Sequence, residues 1–167
     1  MITDEDALMT FTLSSADFRD GDTLPDAHVQ AKGNTSPQLQ WSGAPDGTKS
    51  FAVTMYDPDA PTGSGFWHWT VANIPADVTA LKTGASSGGL PAGAVEGRTD
   101  FDAPGFGGAA PPPGHGPHRY IFTVFAVDVP HLDLTPENAG AVFGFNLHFH
   151  TLARASITAT YENRGEG

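Results

Sequence analysis

The chain has 167 residues, no Cys and a formal charge of −11, because 19 acidic side chains outweigh 8 basic ones. Binding to a phosphate backbone depends on clustered Lys and Arg, so this charge argues against nucleic acid and against anionic membrane surfaces as partners. The lack of Cys excludes disulfides and thiolate chemistry.

The length suits a single domain, residues 1–167, that can bury a core without metal or disulfide support. No apolar stretch approaches the roughly 20 residues of a membrane-spanning helix. No basic segment leads into an apolar run at the start of the chain. We therefore expect a soluble, cytoplasmic protein in which residues 1–8 are frayed.

The first third of the chain contains short runs of alternating apolar and polar residues, which is typical of strands. Residues 9–13 predict the first strand and residues 20–22 a turn. Residues 39–41 predict a second strand, entered from the Asn-Thr-Ser-Pro loop at 34–37. Residues 50–56 alternate again and predict a third strand.

The third strand runs into the stretch YDPDAPTGSGFWH at 56–68. Pro cannot donate a ladder hydrogen bond and Gly lets the backbone turn, so strand pairing should stop there and a shaped loop begin. Side chains alternate along a strand, so Asp57 falls on the face of the apolar row before it. Another strand is expected at 67–74. Asp57, Asp59 and His68 are thereby predicted to meet at the mouth of the loop.

Residues 82–117 form a long stretch rich in Gly and Pro, with one short candidate strand at 95–98. A segment of this kind inside a compact domain is usually functional or disordered, and we favour a functional one because it leads into G-P-H-R-Y at 116–120 and an apolar strand at 121–127. Thr135 followed by Pro predicts the start of a kinked helix that reaches about residue 154.

Residues 156–161 alternate and predict a last strand. Many short strands with few helices predict a mainly β fold, an antiparallel β-sandwich with a few peripheral helices.

Three motifs occur in the order known from one family: N-x-S-P-x-L-x-W at 34–41, D-P-D-A-P at 57–61 followed by W-H at 67–68, and H-R-Y at 118–120. On these motifs the chain resembles the phosphatidylethanolamine-binding protein family, especially its bacterial and archaeal branch of Raf-kinase-inhibitor-like proteins. The resemblance covers nearly the whole chain. It implies the β-sandwich of that family, a binding and regulatory role without catalysis or cofactor, and a homodimer.

The resemblance also implies a ligand pocket and its residues. The motif positions that match the family's pocket are Asp57, Ala60, Pro61, Phe66, His68, Phe106, Gly108, Ala110, Pro112, His118 and Tyr120. Two of these positions depart from the family pattern, since Phe106 stands where Tyr is common and Ala110 where Gly is common. The lost hydroxyl and the added methyl group put lipid specificity in doubt.

The chemistry of these residues points to an anion. A carboxylate favours the charged form of a neighbouring imidazole, so Asp57 with His68 could form a local cationic spot. Backbone N–H groups of a Gly-rich loop at 105–108 could complete an anion cradle, with His118 as a second imidazole. The expected ligand is a phosphate monoester, a phospholipid head group or a carboxylate. The alternative is that the aspartates are turn formers and His68 a core residue.

Arg119 is predicted to be structural. Its guanidinium could clamp Asp57 or Asp59 through two hydrogen bonds and so lock the two loops together.

His148 and His150 form an H-x-H pair that raises the question of a metal. Residues i and i+2 do not face each other on a helix, and no third ligand stands at a useful spacing, so we predict no metal site and a packing or interface role.

The sequence contains no nucleophile elbow, no Cys nucleophile, no Walker loop and no metal signature, so we do not expect an enzyme. Two alternatives to an anion-binding protein stay open. One is an inhibitor of a kinase or protease that acts through protein contacts alone, with a vestigial pocket. The other is an unrecognised hydrolase that uses His68, His118 and Asp57 for acid–base chemistry.

Overall fold

The computed structural model describes residues 10–165. The expectations for residues 1–8, and the start of the strand predicted at 9–13, lie outside or at the edge of this range. The strands are β1 (Thr12–Ser14), β2 (Leu39–Ser42), β3 (Ser50–Asp57), β4 (Phe66–Pro75), β5 (Ala80–Leu81), β6 (Val95–Glu96), β7 (His118–Val127) and β8 (Thr151–Tyr161). A 3-10 turn spans Asp26–His28 and an α-helix, α1, spans Gly140–His150.

The strands form two antiparallel sheets. The smaller sheet has the order β1-β2-β5, and the larger one has the order β6-β4-β3-β7-β8. One apolar cluster fills the space between the two sheets, and a second cluster lies between the larger sheet and α1. The predicted mainly β sandwich is confirmed, with α1 on its outer face.

The central strand β3 is buried on both faces. Phe51, Val53 and Met55 belong to the cluster between the sheets, while Ala52 belongs to the cluster under α1. The alternation read from the sequence therefore holds, although both faces are covered. Asp57, the last residue of β3, is 2% exposed. The strand thus delivers a carboxylate into the protein interior.

Strand β4 contains a bulge at His68. Trp67 pairs with Tyr56 and Trp69 pairs with Met55, so His68 is an extra residue in the ladder. Bulges re-aim side chains and are frequent beside functional sites. Trp67 packs under α1, where a Cβ added to Gly140 would stand 2.2 Å from the Trp67 indole. Trp69 belongs to the cluster between the sheets, on the opposite face.

The predicted helix start at Thr135 is wrong. The backbone N–H of Thr135 donates to the Asn138 side-chain oxygen at 2.8 Å and closes a local turn instead. The helix begins at Gly140, where the lack of a side chain lets the backbone lie this close to Trp67. It ends at His150, and β8 follows at once from Thr151, five residues earlier than predicted. No helix within residues 10–165 is long and apolar enough to cross a membrane.

Strand β7 begins at His118, so the H-R-Y motif lies in a strand rather than before one. Alternation then places His118 and Tyr120 on the buried side, and Arg119 on the exposed side. Arg119 clamps Asp59 of the loop after β3. Its Nε donates to Oδ2 at 3.0 Å, its Nη2 to Oδ1 at 2.8 Å, and its backbone N–H to Oδ2 at 2.9 Å.

Asn73 of β4 fixes the segment that precedes α1. Its side-chain Nδ2 donates to the Leu132 carbonyl at 3.0 Å, and its Oδ1 accepts the Leu132 N–H at 2.7 Å. Asn73 is buried and holds a φ of 61°, in the left-handed region that Asn tolerates.

We expect Asn73→Ala to lower the free energy of unfolding by about 2 kcal/mol, because it leaves the buried N–H of Leu132 without a partner, whereas the Leu132 carbonyl still accepts the N–H of Leu134. Urea unfolding followed by tryptophan fluorescence measures the change. The companion Asn73→Gly relieves the backbone conformation but also lacks the hydrogen bonds. If Asn73→Gly unfolds like the wild type, the two hydrogen bonds do not stabilise the fold.

The clamp predicts a pH-dependent contribution to stability. Hydrogen bonds from Arg119 lower the pKa of the Asp59 carboxyl to about 2. Its stabilising effect is therefore complete above the unfolded-state pKa near 4 and is lost as the pH falls through about 2. We expect Arg119→Ala to lower the free energy of unfolding by a small amount at neutral pH, since solvent screens this partly exposed pair.

The difference between Arg119→Ala and the wild type should shrink between pH 4 and pH 2. Arg98→Ala is the matched control, because Arg98 is also exposed but approaches Asp102 only at 3.9 Å. If Arg119→Ala and the wild type are equally stable at neutral pH, the Arg119–Asp59 pair does not stabilise the fold.

Candidate functional site

A cavity of about 230 Å³ opens where the loop after β3, the start of β4 and the Pro-rich segment before β7 meet. Cavities that hold drug-sized ligands start at about 300 Å³, so this one suits a small polar group with little attached to it. Its lining residues are Asp57, Ala60, Pro61, Thr62, Phe66, His68, Phe101, Ala110, Pro112 and His118.

Asp57 is held by two hydrogen bonds. Its Oδ1 accepts the backbone N–H of Asp59 at 2.7 Å, and its Oδ2 accepts Nδ1–H of His118 at 2.6 Å. His118 is as buried as Asp57. The imidazole that pairs with Asp57 is therefore His118, and not His68 as expected from the sequence. The carboxylate fixes the tautomer and the orientation of the ring.

His68 has a different partner. Its Nδ1–H donates to the Gly107 carbonyl at 2.8 Å. Burial lowers the pKa of His68 below its usual value, although the Gly107 carbonyl and the charge of Asp57 act in the opposite direction. The ring is thus neutral at pH 7, with Nε2 as an acceptor until a proton is taken up. The predicted cationic pair of Asp57 with His68 is not formed.

Tyr120 lies beneath the cavity, between the two imidazoles. Its ring centroid is 5.3 Å from that of His68 and 6.4 Å from that of His118. Its hydroxyl is buried and forms no hydrogen bond of ordinary geometry in the part of the chain that the structure describes, although the Asp57 carboxyl and the Ala110 backbone lie close enough to affect its pKa. Burial, and then the charge of Asp57, raise the pKa of Tyr120 well above its usual range. The group therefore stays protonated and can donate.

The aromatic wall of the cavity consists of Phe66 and Phe101. Their ring centroids are 4.7 Å apart, and Phe101 also contacts His68 edge-on at 5.3 Å. Sequence reasoning missed Phe101 and chose Phe106, which lies outside the cavity lining and packs edge-on against Trp69 at 5.4 Å. The sequence did not single out Phe101, because its contact with Gly107, where a Cβ would stand 2.3 Å from the Phe101 ring, depends on the folded chain.

The Gly-rich loop does not offer the backbone donors that we expected. The N–H of Phe106 donates to Ser86 Oγ at 3.0 Å, that of Gly107 to the His68 carbonyl at 2.9 Å, and that of Gly108 to Asn34 Oδ1 at 2.8 Å. These three donors are already engaged, so the predicted amide cradle is wrong for them. Gly108 serves close packing, since a Cβ there would stand 2.3 Å from a backbone oxygen.

His115, which sequence reasoning did not select, continues the network outward. Its Nδ1 lies 2.6 Å from Nε2 of His118. Asp57, His118 and His115 thus form one hydrogen-bonded chain from the buried end of β3 to an exposed loop. The spacing H-G-P-H at 115–118 was the available signal.

Most of the residues selected from the sequence meet at this cavity. Asp57, Ala60, Pro61, Phe66, His68, Ala110, Pro112 and His118 line it. Tyr120 lies below it, while Phe106 and Gly108 support the neighbouring loop.

The H-x-H pair lies elsewhere, on α1. His150 contacts Asp128 through Nδ1 at 2.9 Å, and His148 is exposed. Within residues 10–165 no group of three or more His, Cys, Asp or Glu residues could hold a metal ion.

Comparison with known proteins identifies the family. The family model described as phosphatidylethanolamine-binding protein matches residues 14–162. The chain is 54% identical to the Escherichia coli strain K12 protein YbhB over 156 residues, which cover 89% of this chain and 98% of YbhB.

Two solved structures have the same fold. The crystal structure of Escherichia coli YbcL superposes with a TM-score of 0.89 at 51% identity and covers 91% of this chain and 98% of YbcL. The carboxypeptidase Y inhibitor, solved in complex with its cognate proteinase, has a TM-score of 0.54 at 20% identity and covers 92% of this chain and 82% of the inhibitor. That second likeness concerns the fold alone. The family model and the identity to YbhB together establish that the chain belongs to the phosphatidylethanolamine-binding protein family.

Proposed function

We propose that this protein is a non-catalytic binding protein whose cavity takes a small anionic group, either a phosphate monoester or the head group of a phospholipid. The observation that carries the proposal is the convergence of two buried imidazoles, His68 and His118, on one small cavity. The family name, which refers to a phospholipid with an ethanolamine phosphate head group, supports the same ligand class.

The free ring nitrogen of His68 supports a polar ligand. Nδ1 of His68 is engaged by the Gly107 carbonyl, so Nε2 is the nitrogen that can bond to a ligand in the cavity, and once protonated it donates to an acceptor atom. Charged acceptors form stronger hydrogen bonds than neutral ones, so an anionic oxygen suits the site better than a neutral group.

The imidazoles supply the positive charge. His118 is already oriented by Asp57, and His68 can take up a proton when an anion approaches, because a neighbouring negative charge favours the charged form. The site can therefore acquire positive charge locally when an anion binds, in a protein with a net charge of −11. The volume of about 230 Å³ admits a head group and leaves an attached chain outside.

Binding rather than catalysis is supported by the state of the hydroxyl groups. Thr62 is the lining residue with an aliphatic hydroxyl, and that hydroxyl donates to the Gly65 carbonyl instead of approaching an imidazole. A nucleophile activated by a base would be expected within hydrogen-bond reach of that base.

The cytoplasmic location stays a prediction.

We expect Asp57→Asn and His68→Ala each to weaken the binding of inorganic phosphate and O-phosphoethanolamine about tenfold, with the fold retained. The first change removes the charge that supports His118, and the second removes the ring that takes up a proton. Calorimetric titration and the ring-proton signals of His68 and His118 measure the binding, with acetate as a carboxylate ligand for comparison.

Asp46→Asn and His131→Ala are matched controls, because both side chains are exposed and lie outside the cavity lining. The absence of saturable shifts at millimolar ligand would contradict the proposal and favour an inhibitor that acts through protein contacts. Turnover of a phosphate ester that disappears in His118→Ala would instead favour the hydrolase.

A second surface supports a protein contact. Val142, Phe145 and Phe149 on α1 and Leu152 at the start of β8 are exposed, with Phe145 67% exposed and Phe149 63% exposed. Contiguous apolar patches of this kind mark interaction sites. We propose that the homodimer expected for this branch of the family forms through this face. A kinase or protease partner would be the alternative occupant.

We expect Phe145→Glu to convert a dimer into a monomer, because it places a charge within an apolar interface. Sedimentation equilibrium measures the mass in solution. Gln40→Glu on β2 is the matched control, since it adds the same charge at an exposed position of the smaller sheet. A monomeric wild type, or a dimer that survives Phe145→Glu, would exclude this interface.

A further inference from the structure

Asp57, His118 and His115 form a hydrogen-bonded chain in which His118 lines the cavity. His118 has two ring nitrogens, and both are engaged. Nδ1 donates to Asp57 and Nε2 contacts Nδ1 of His115, each at 2.6 Å. A side chain whose two hydrogen-bonding atoms are both engaged cannot bond to a third group without losing one of its partners.

The two partners of His118 differ in how firmly they are held. Asp57 is buried at the end of the central strand and accepts a second hydrogen bond from the Asp59 backbone. His115 is exposed and lies on the loop before β7. The partner that can leave is therefore His115.

The side chain of His115, rather than the backbone of its loop, is the part that can turn away. The N–H of Gly114 donates to the Asn163 carbonyl at 2.8 Å and the N–H of His115 to the Pro112 carbonyl at 3.2 Å, so the backbone is held. Gly114 and Gly116 flank His115 with φ values of 74° and 90°. A Cβ added at either glycine would meet no atom within 4 Å, so the backbone beside His115 has open space around it.

We propose that His115 is a displaceable latch on the anion site. Without a ligand, Nδ1 of His115 occupies Nε2 of His118. An incoming anion accepts a hydrogen bond from Nε2–H of His118 and takes that place as the His115 side chain turns aside. The inference rests on the proposed anion-binding function. It adds that affinity is set by a residue outside the lining of the cavity.

The latch has a thermodynamic consequence. A ligand that binds only the open form sees its affinity reduced by the fraction of protein that is open. Breaking a hydrogen bond between two imidazoles that are already well placed should keep this fraction small. Removing the latch should therefore strengthen binding, whereas removing an ordinary ligand contact weakens it.

The test is a calorimetric titration of the full-length protein with inorganic phosphate at one fixed pH. We expect His115→Ala to bind phosphate about tenfold more tightly than the wild type, which corresponds to one hydrogen bond released. His115→Asn should remain close to the wild type, because its side-chain amide can stand where Nδ1 of the imidazole stood. His131→Ala, an exposed histidine away from the cavity, should leave affinity unchanged.

A second readout follows the latch directly. In ¹⁵N spectra of the imidazole rings, saturating phosphate should shift Nδ1 of His115 to the position of a solvent-exposed ring, while Nε2 of His118 stays hydrogen-bonded. Thermal melting of each variant checks that the exposed substitution has not altered the fold.

The outcomes separate the two proposals. If phosphate binds the wild type and His115→Ala binds it equally or less tightly, the latch is wrong and the anion site stands. If the Nδ1 signal of His115 is unchanged at saturating phosphate, the latch proposal is also wrong. If neither the wild type nor any variant binds phosphate, the proposed function fails and the latch fails with it.

Discussion

The site depends on a buried carboxylate. An isolated charge in a protein interior costs several kcal/mol unless it is hydrogen-bonded and paired. Asp57 meets that requirement with the Asp59 backbone on one side and the His118 ring on the other. These two bonds require the loop after β3 to close against the first residue of β7. Arg119 then joins the same two segments a second time on the outer surface, through Asp59. Alternation along β7 is what allows one short motif to serve both faces.

The negative charge of Asp57 is compatible with an anion-binding site. Asp57 fixes His118 in one tautomer and orientation, so the ring presents its second nitrogen in a set direction. His68 donates to the Gly107 carbonyl and is kept neutral by burial, so it becomes charged only when an anion binds nearby. The site thereby relies on oriented hydrogen bonds more than on a standing positive potential, which suits a strongly acidic protein.

Sequence reasoning could predict what depends on local pattern. Alternation placed Asp57 on the inner face of β3, and the order of three motifs indicated the sandwich and the family. What it missed depends on contacts between distant segments. Phe101 rather than Phe106 lines the cavity, where it packs against His68. The His68 carbonyl accepts the N–H of Gly107. Helix α1 begins later than predicted, at Gly140, which packs against Trp67. The choice of His118 over His68 as the partner of Asp57 is of the same kind, because only the paired strands bring those groups together.

The bulge in β4 also limits how this protein can change over evolutionary time. Trp67 and Trp69 lie on opposite faces of the sheet because His68 is an extra residue between them. Deleting one residue at this point would restore regular pairing and rotate every side chain before it to the wrong face. The loop between β3 and β4 can therefore lengthen or shorten at its tip, whereas the spacing from His68 to Asn73 must stay constant for both the cavity and the core beneath α1 to survive.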